Sequence, residues 1–489
     1  MHAVSPYSRS VAEPRVHGGL TLPVQRIDLS RDRNEPLYQQ LYTQIRSLIT
    51  DACPAGTRLP ASRRLADYLG VSRNTVMLAY QRLHEDGYVS GRAGGGTVVQ
   101  AVRREAVRPQ SGRPGPQKAA AGGDTVRPGA AFAVGVPPVD LFPLGLWTSV
   151  LSRKLRTSGD RIMRGGNGMG QWPLRRAIAA HLNLLRGIPC APEQVIVTRG
   201  LDAGLDLVFR TLLAPGDRAW CEEPGYPYVR RSLRYRGCVP LAVPVDAEGL
   251  NVTVAADGPE ASIAVVSPAR HLPMAVRMSD RRRAQLLDYA DRPGMWIVEH
   301  ESDGAFLDMP ASRPLFTDDP NGRVIYLGTF NTALFPQLHL GFCILPAALA
   351  ATASPPLTEG AAEVSTITQE ALADLLEHHR FARSFSRLRS ACAQRREILR
   401  SALQAVPDLI PAIQGDPGTG SYLTVILPRR VNERRLTALG RQESLALAPL
   451  SHYFDSVPPA PGLVLGCAGT REDALGPAVR RLGRLISSD

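Results

Sequence analysis

Lysine is nearly missing from this chain. Only Lys118 and Lys154 occur among 57 basic side chains, so almost all of the positive charge is arginine. Any chemistry that needs a lysine amine therefore has two candidates. Cysteine is sparse too: the seven, at 53, 190, 221, 238, 343, 392 and 467, are scattered, odd in number and never spaced as CxxC. That argues against a disulfide framework and a structural zinc site, and it suggests a reducing, cytoplasmic setting. No run of about 18 consecutive apolar residues occurs, which argues against a membrane-spanning helix. The opening MHAVSPYSRSVAEP has no apolar stretch of the kind a secretory signal needs.

What is present is ordinary for a globular protein: 44% hydrophobic and 21% charged residues in a chain of 489. That length leads one to expect two or three domains. The formal charge of +12 is compatible with a nucleic-acid partner, although an arginine-rich coding bias accounts for part of such an excess.

Composition divides the chain. Residues 1–34 are mixed polar and without a period, and read as a flexible arm. Residues 35–103 read as a compact unit. Residues 104–130, rich in proline, glycine and arginine, read as a semi-extended linker. From 131 to 489 short β-rich runs (QVIVT, IAVVSP, MWIVE, VIYLG) alternate with amphipathic helical stretches (LDLVFRTLL, DRRRAQLLDYA). That alternation predicts an α/β fold with a mostly parallel sheet covered by helices, a large domain to about residue 345 and a smaller one after it.

In the first compact unit, Leu37, Leu41, Ile45 and Leu48 recur at helical spacing, and ASRRLADYLG is a short helix closed by Gly70. Ser72 is placed to cap a third helix, which Gly87 ends. YVSGRAGGGTVVQ then reads as two strands around a glycine turn. Helix, helix, tight turn, helix, hairpin is a winged helix-turn-helix. Such a unit offers the first residues of its third helix, here Ser72, Arg73, Asn74 and Thr75, to base edges. One bidentate arginine–guanine contact is worth about 1–3 kcal/mol of discrimination. Arg63 and Arg64 suit phosphate contacts, and Arg92 lies on the wing. An ordinary three-helix unit with solvated arginines is the competing reading, and the combination of cap, spacing and wing goes against it.

This segment resembles the GntR family of bacterial regulators through PLYQQLYTQI, AGTRLPASRRLADYLGVSRNTV, LAYQRLHEDGYV and RAGGGTVV. By that resemblance Arg63, Arg73 and Gly95 of the wing turn occupy DNA-contacting positions. Beyond the linker, LFPLGLW, PLRRAIAAHL, PEQVIVTRG, LLAPGDRAWCEEPGYPYVR, VSPARHLP and GTFNTALFPQLHLGF resemble, in order, a fold-type I aminotransferase. A GntR head on such a domain is the pattern of the MocR-type regulators. The resemblance implies large and small subdomains, a homodimer whose two heads read two half-sites of double-stranded DNA, and pyridoxal phosphate as the family cofactor.

That cofactor needs a lysine for its Schiff base, an acid beside its pyridine nitrogen, and cationic or hydroxyl groups for its phosphate. The family's loop reads GTFSK, with an arginine seven residues after the lysine. Here Asn331 stands at the serine, Thr332 at the lysine and His339 at the arginine. EHESD replaces EDDYD, with Glu301 read at the aspartate and Ser302 at the tyrosine. Gly165 and Asn167 align with the tyrosine and aspartate of YGDP. Asp202 stands where a phosphate would be repelled, while Tyr226 of EPGYP is retained. Arg270 and His271 of VSPARHLP complete the expected pocket.

Threonine cannot form an imine, and Lys118 (linker) and Lys154 (LWTSVLSRKLR) are poor substitutes. The sequence therefore predicts no covalent pyridoxal phosphate and an inactive aminotransferase-like domain that serves dimerisation and a remodelled effector pocket, or dimerisation alone. The competing reading is a pyridoxal-phosphate-dependent regulator or aminotransferase carrying a DNA-binding head. His271, His300, Glu301 and His339 could converge on a metal, but no HxxxH spacing supports that, and pocket-lining polar groups read better. His378 and His379 read as a solvated helix face, and Asp280 with Arg281, Arg282 and Arg283 as a helix start with exposed basic residues.

Overall fold

The computed structural model describes residues 22–30, 35–92, 96–100, 129–163, 168–292, 294–304, 313–352, 364–377, 382–406 and 420–487. Gly95, Lys118, Gly165, Asn167, His378 and His379 lie outside them, as do the side chain of Arg92 and the linker apart from its last two residues. The chain separates into two units, Met1–Ala121 and Gly122–Asp489.

The first unit holds α1 (Leu37–Ala52), α2 (Ser62–Leu69), α3 (Arg73–Glu85), β1 (Val89–Arg92) and β2 (Gly96–Val99). Leu22, Ile27, Leu41, Ile45, Leu65, Val76, Ala79, Leu83, Val89 and Val99 form its core, so each element contributes one apolar face. Residues 22–30, expected from their polar composition to belong to a flexible arm, instead pack on the head, because Leu22 and Ile27 bury their side chains there. Gly70 ends α2 in the left-handed conformation, at φ 64°, where a side chain would be strained. The tight turn leads into α3, whose first turn is capped by Ser72: its side chain accepts from the Thr75 N–H at 3.1 Å. β1 and β2 pair antiparallel from Val89↔Val99 to Arg92↔Gly96. This is the winged helix-turn-helix that the spacing predicts.

The second unit opens with α4 (Leu144–Met163) and α5 (Trp172–Arg186). Then come β3 (Val195–Thr198), α6 (Leu201–Leu212), β4 (Arg218–Glu223), α7 (Pro227–Tyr235), β5 (Val239–Asp246), β6 (Gly249–Leu250), α8 (Val252–Ala256), β7 (Ile263–Val266), α9 (Asp280–Asp291), β8 (Trp296–Glu301), β9 (Val324–Thr329) and β10 (Gly341–Ile344). These strands make one eight-stranded sheet in the order β3-β10-β9-β8-β7-β4-β5-β6. The run β9-β8-β7-β4-β5 is parallel, whereas β10 is antiparallel to both its neighbours and β6 to β5. β3, β7 and β10 are buried at every residue, as strands covered on both faces must be.

The remaining described elements are α10 (Ala347–Thr352), α11 (Thr366–Glu377), α12 (Ala382–Gln404), β11 (Tyr422–Ile426), α13 (Glu433–Gln442), β12 (Ala448–Pro449), β13 (Gly462–Gly466) and α14 (Glu472–Ser487). β11, β13 and β12 form a second, antiparallel sheet in that order, packed with α12 and α14 over a core of its own around Leu399, Leu423, Leu465 and Leu482. The basic start of α9 departs from expectation. Arg282 and Arg283 are buried, and they pair with Asp246 at 3.0 Å and Asp318 at 2.6 Å. Two carboxylates brought from distant segments make burial of these guanidiniums tolerable.

Candidate functional site

The carboxyl ends of β4, β7, β8 and β9 open on one side of the large sheet, the usual place for a ligand in an open α/β fold. There a cavity of about 480 Å³ lies between the loops that follow these strands and the start of β11, within the range of small-molecule sites. Each strand end delivers its group for a local reason. The turn after β4 carries Tyr226 into the wall at the start of α7. After β7, Ser267 and Arg270 reach the cavity; β8 contributes His300 and, just past its end, Ser302 and Asp303. The loop after β9 brings Asn331, Thr332 and His339.

Six of the eight residues expected in a pocket line this cavity: Asp202, Tyr226, Arg270, Asn331, Thr332 and His339. The Thr332 hydroxyl donates to the Ser302 carbonyl, fastening the loop to the end of β8. Asn331 Oδ1 accepts from the Leu340 N–H at 2.9 Å, which closes the loop on itself. His339 is exposed, holds a left-handed backbone (φ 48°) and lies 3.2 Å from Gln337 Oε1. Asp202, in the first turn of α6, accepts from the Tyr226 hydroxyl at 2.7 Å, and burial pushes its carboxyl up. Arg270 lies over the Tyr422 ring at 4.6 Å, donates to the Tyr422 carbonyl at 3.0 Å and sits 3.9 Å from Asp303. A Cβ on Gly420 would come within 2.0 Å of Arg270 Nε, so this close approach needs glycine.

Two expected residues are elsewhere. Side chains alternate along a strand, so Glu301 points away from His300 and Ser302. It lines a second cavity, of about 320 Å³, on the other side and pairs with Arg186 at 2.7 Å. The wall position next to the retained tyrosine belongs to His300, whose ring centroid is 5.9 Å from that of Tyr226. Burial drives the His300 imidazole down to about 4, so it is neutral near pH 7, and its Nδ1 is buried without a hydrogen-bond partner among the described residues. His271 is the second correction. It is 1% exposed, away from the cavity, and packs with Nε2 2.9 Å from the Pro224 carbonyl while Nδ1 accepts from the Met274 N–H. Burial takes it to about 3, so it too is neutral. His271, His300, Glu301 and His339 therefore do not converge, and among the described residues no cluster of three or more potential metal ligands occurs.

Sequence reasoning missed several wall residues. Arg199, in the TRG turn before α6, lines the cavity, is exposed, and makes no ion pair or hydrogen bond among the described residues. Its place one residue before the turn glycine was the available signal. Asp303 accepts from Ser421 N at 3.0 Å and Ser421 Oγ at 2.8 Å, tying the small sheet to the end of β8. Lys154 is on α4 with Nζ 3.6 Å from both Glu370 and Asp374, and it does not line the cavity.

In the first unit, Arg63, Arg64, Ser72, Arg73 and Asn74 are exposed and Thr75 is half-buried. None of the three arginines has an ion pair or hydrogen bond among the described residues. Exposed guanidiniums thus stand at the starts of both α2 and α3.

Comparison with known proteins agrees with both units. Residues 37–99 match the bacterial regulatory proteins of the gntR family, and residues 132–444 match aminotransferase class I and II. The probable rhizopine catabolism regulatory protein MocR of Rhizobium meliloti is 33% identical over 458 residues, covering 90% of this chain and 92% of that one. The chain belongs to the MocR-type regulators of the GntR family. Another relative of this MocR-type chain is the HTH-type pyridoxine biosynthesis transcriptional regulator PdxR of Corynebacterium glutamicum, 30% identical over 446 residues, or 89% of this chain and 93% of that one. Among solved structures, Pyrococcus horikoshii kynurenine aminotransferase superposes with a TM-score of 0.65 at 21% identity, covering 74% of this chain and 91% of that one. An archaeal alanine:glyoxylate aminotransferase gives 0.67 at 22%, with the same coverages. At these identities the two enzymes establish the fold-type I architecture of the MocR-type chain and nothing of its chemistry. No helix among the described residues is long and apolar enough to cross a membrane.

Proposed function

We propose that this MocR-type regulator binds DNA sequence-specifically as a homodimer, and that its aminotransferase-like unit senses a small molecule without covalent pyridoxal phosphate. The observation that carries the second part is the pair Thr332 and His300. At the lysine position stands a hydroxyl already committed to the Ser302 carbonyl. Beside Tyr226, where the cofactor's ring nitrogen would need an acid, stands an imidazole that burial keeps neutral. A neutral imidazole lacks the negative charge that holds a pyridinium. Asp202 at the first turn of α6 adds negative charge where a phosphate would use the helix N-terminus. These residues do not fit the family cofactor. They still wall a cavity of about 480 Å³ with polar groups, which suits a different, non-covalent ligand. Pairing between copies, common to symmetric regulators, would present two heads to two half-sites.

The test is spectroscopic. Purified protein incubated with pyridoxal phosphate and then treated with borohydride should carry no cofactor on any lysine. A trapped band on Lys118 or Lys154 would overturn this reading in favour of the cofactor-dependent regulator. For the DNA part, Arg73→Ala should weaken the shift of the protein's own promoter region about tenfold or more, and an unchanged shift would refute the assigned readout. Mapping of bound genomic DNA would then point to the effector through the neighbouring genes.

A further inference from the structure

The outer face of α3 carries two aliphatic side chains that its fold does not use. Val76, Ala79 and Leu83 turn inward and are buried. At about 100° per residue, the opposite side of the helix is centred on Asn74, Met77, Leu78 and Gln81. Met77 is 50% exposed and Leu78 42% exposed. Single exposed aliphatics are common on protein surfaces. Here two adjacent ones sit about one turn beyond Arg73 and Asn74, on the same helix, in a unit whose exposed Arg63, Arg64 and Arg73 make no ion pair or hydrogen bond among the described residues. That setting has charge complementarity to one class of partner, and the apolar patch is continuous with the residues assigned to base reading.

We propose that Met77 and Leu78 read the 5-methyl groups of thymine in the major groove. The inference rests on the reading of this chain as a sequence-specific DNA-binding regulator, and it adds a specificity element to the polar start of α3. The thymine methyl is the one apolar group on the base edges of the major groove, and aliphatic contact is how proteins sense it. An asparagine side chain can pair in bidentate fashion with adenine. Asn74 and the two aliphatics together therefore describe a reading face for A·T pairs, flanked by arginines suited to guanine and to phosphate. Water leaves the Met77 and Leu78 side chains only when the helix is docked, so their burial contributes to the specific complex and not to the folded head.

The experiment uses the full chain. Preferred sites are selected from random double-stranded DNA, and each thymine in the selected site is replaced singly by uracil, which lacks only the methyl. At one or more thymines per half-site, uracil is expected to weaken binding about three- to fivefold, the effect of one buried methyl. Met77→Ala or Leu78→Ala should weaken binding to the thymine site by a similar factor and abolish the thymine–uracil difference at that position. Both residues are half-exposed and alanine is a strong helix former, so the variants should fold, which circular dichroism would verify. Insensitivity of every thymine to loss of its methyl would overturn the proposal. So would alanine variants that keep the full thymine–uracil difference, or that change the assembly state of the protein while leaving DNA affinity intact, since the face would then pack against a second copy. If no sequence is enriched at all, the regulator reading fails first and this inference with it.

Discussion

Two buried carboxyls oppose two buried imidazoles and a half-buried one in setting the pH dependence of the larger unit. Glu222 accepts from Ser267 N at 2.9 Å and Ser267 Oγ at 2.6 Å and lies 3.6 Å from His271 Nε2, and burial raises it from 4.5 to about 7. Its raised value means that the folded state holds a proton the unfolded state has released. The contribution is fully present below about pH 4.5 and is lost as pH rises through about 7. His181, His271 and His300 are depressed by burial to about 4, 3 and 4, so their contributions are present above about 6.5 and are lost as pH falls. Glu299, also raised to about 7, acts in the same direction as Glu222. Glu222→Gln, an isostere of the protonated acid, should therefore lose less stability than the parent between pH 5 and 7. The difference across that window is roughly 2 kcal/mol, since each tenfold change in proton affinity is worth about 1.4 kcal/mol and part of the shift lies outside it. Chemical denaturation at several pH values reads the slope directly, and parallel curves for the two proteins would refute the assignment. At the same scale lies what the sequence did not reveal. Glu222 and the pair Arg186–Glu301 left no local trace of their burial, because charged residues are read as exposed unless a partner is known, and their partners come from more than 40 residues away.

At the scale of elements, the sequence was legible wherever one periodicity dominated. α3 shows its cap, its apolar face and its stop signal within sixteen residues, Ser72 to Gly87, and the structure has all three. β9 was equally clear as an apolar run, VIYLG. β8 was legible as a strand and illegible in its parity. Its last three residues, Glu299, His300 and Glu301, are all polar and all buried, so no apolar–polar alternation marks which of them faces the cavity. The pairing of β8 with β9 decides it, bringing His300 opposite Leu327 and Glu301 opposite Gly328, and that register is a tertiary fact. The cap of α3 supports a direct test. Ser72→Ala leaves the Thr75 N–H without its 3.1 Å acceptor and should cost about 1 kcal/mol. For a domain of the head's size that is about 4–8 °C in Tm, together with weaker DNA binding because the same turn carries Arg73 and Asn74. An unchanged melting temperature of the head would show that water replaces the cap at no cost.

For the whole molecule, the family and both folds were legible because many short motifs occur in order across the chain, and order survives the loss of individual catalytic residues. What the sequence could not supply was the geometry that couples two heads. The head has a core of its own, from Leu22 to Val99, so a fragment spanning residues 22–100 should fold and bind DNA alone, through one half-site. In the proposed homodimer the second head would bind at the high effective concentration set by its tether, which typically adds a factor of 10²–10⁴ to affinity. The isolated head should thus bind a selected two-half-site operator at least about 100-fold more weakly than the full chain, and indifferently to the spacing of the half-sites. The full chain should lose most of its advantage when the spacing is changed by half a helical turn, because the second head would then face the wrong side of the duplex. Both proteins should show a linear fall of log affinity with log salt, with the slope of the full chain about twice that of the head, since each head neutralises its own set of phosphates. Gel shifts with spacing variants, and a salt titration of each protein, measure these ratios. Equal slopes would mean that one head carries all the phosphate contacts, and the two-half-site arrangement would have to be abandoned.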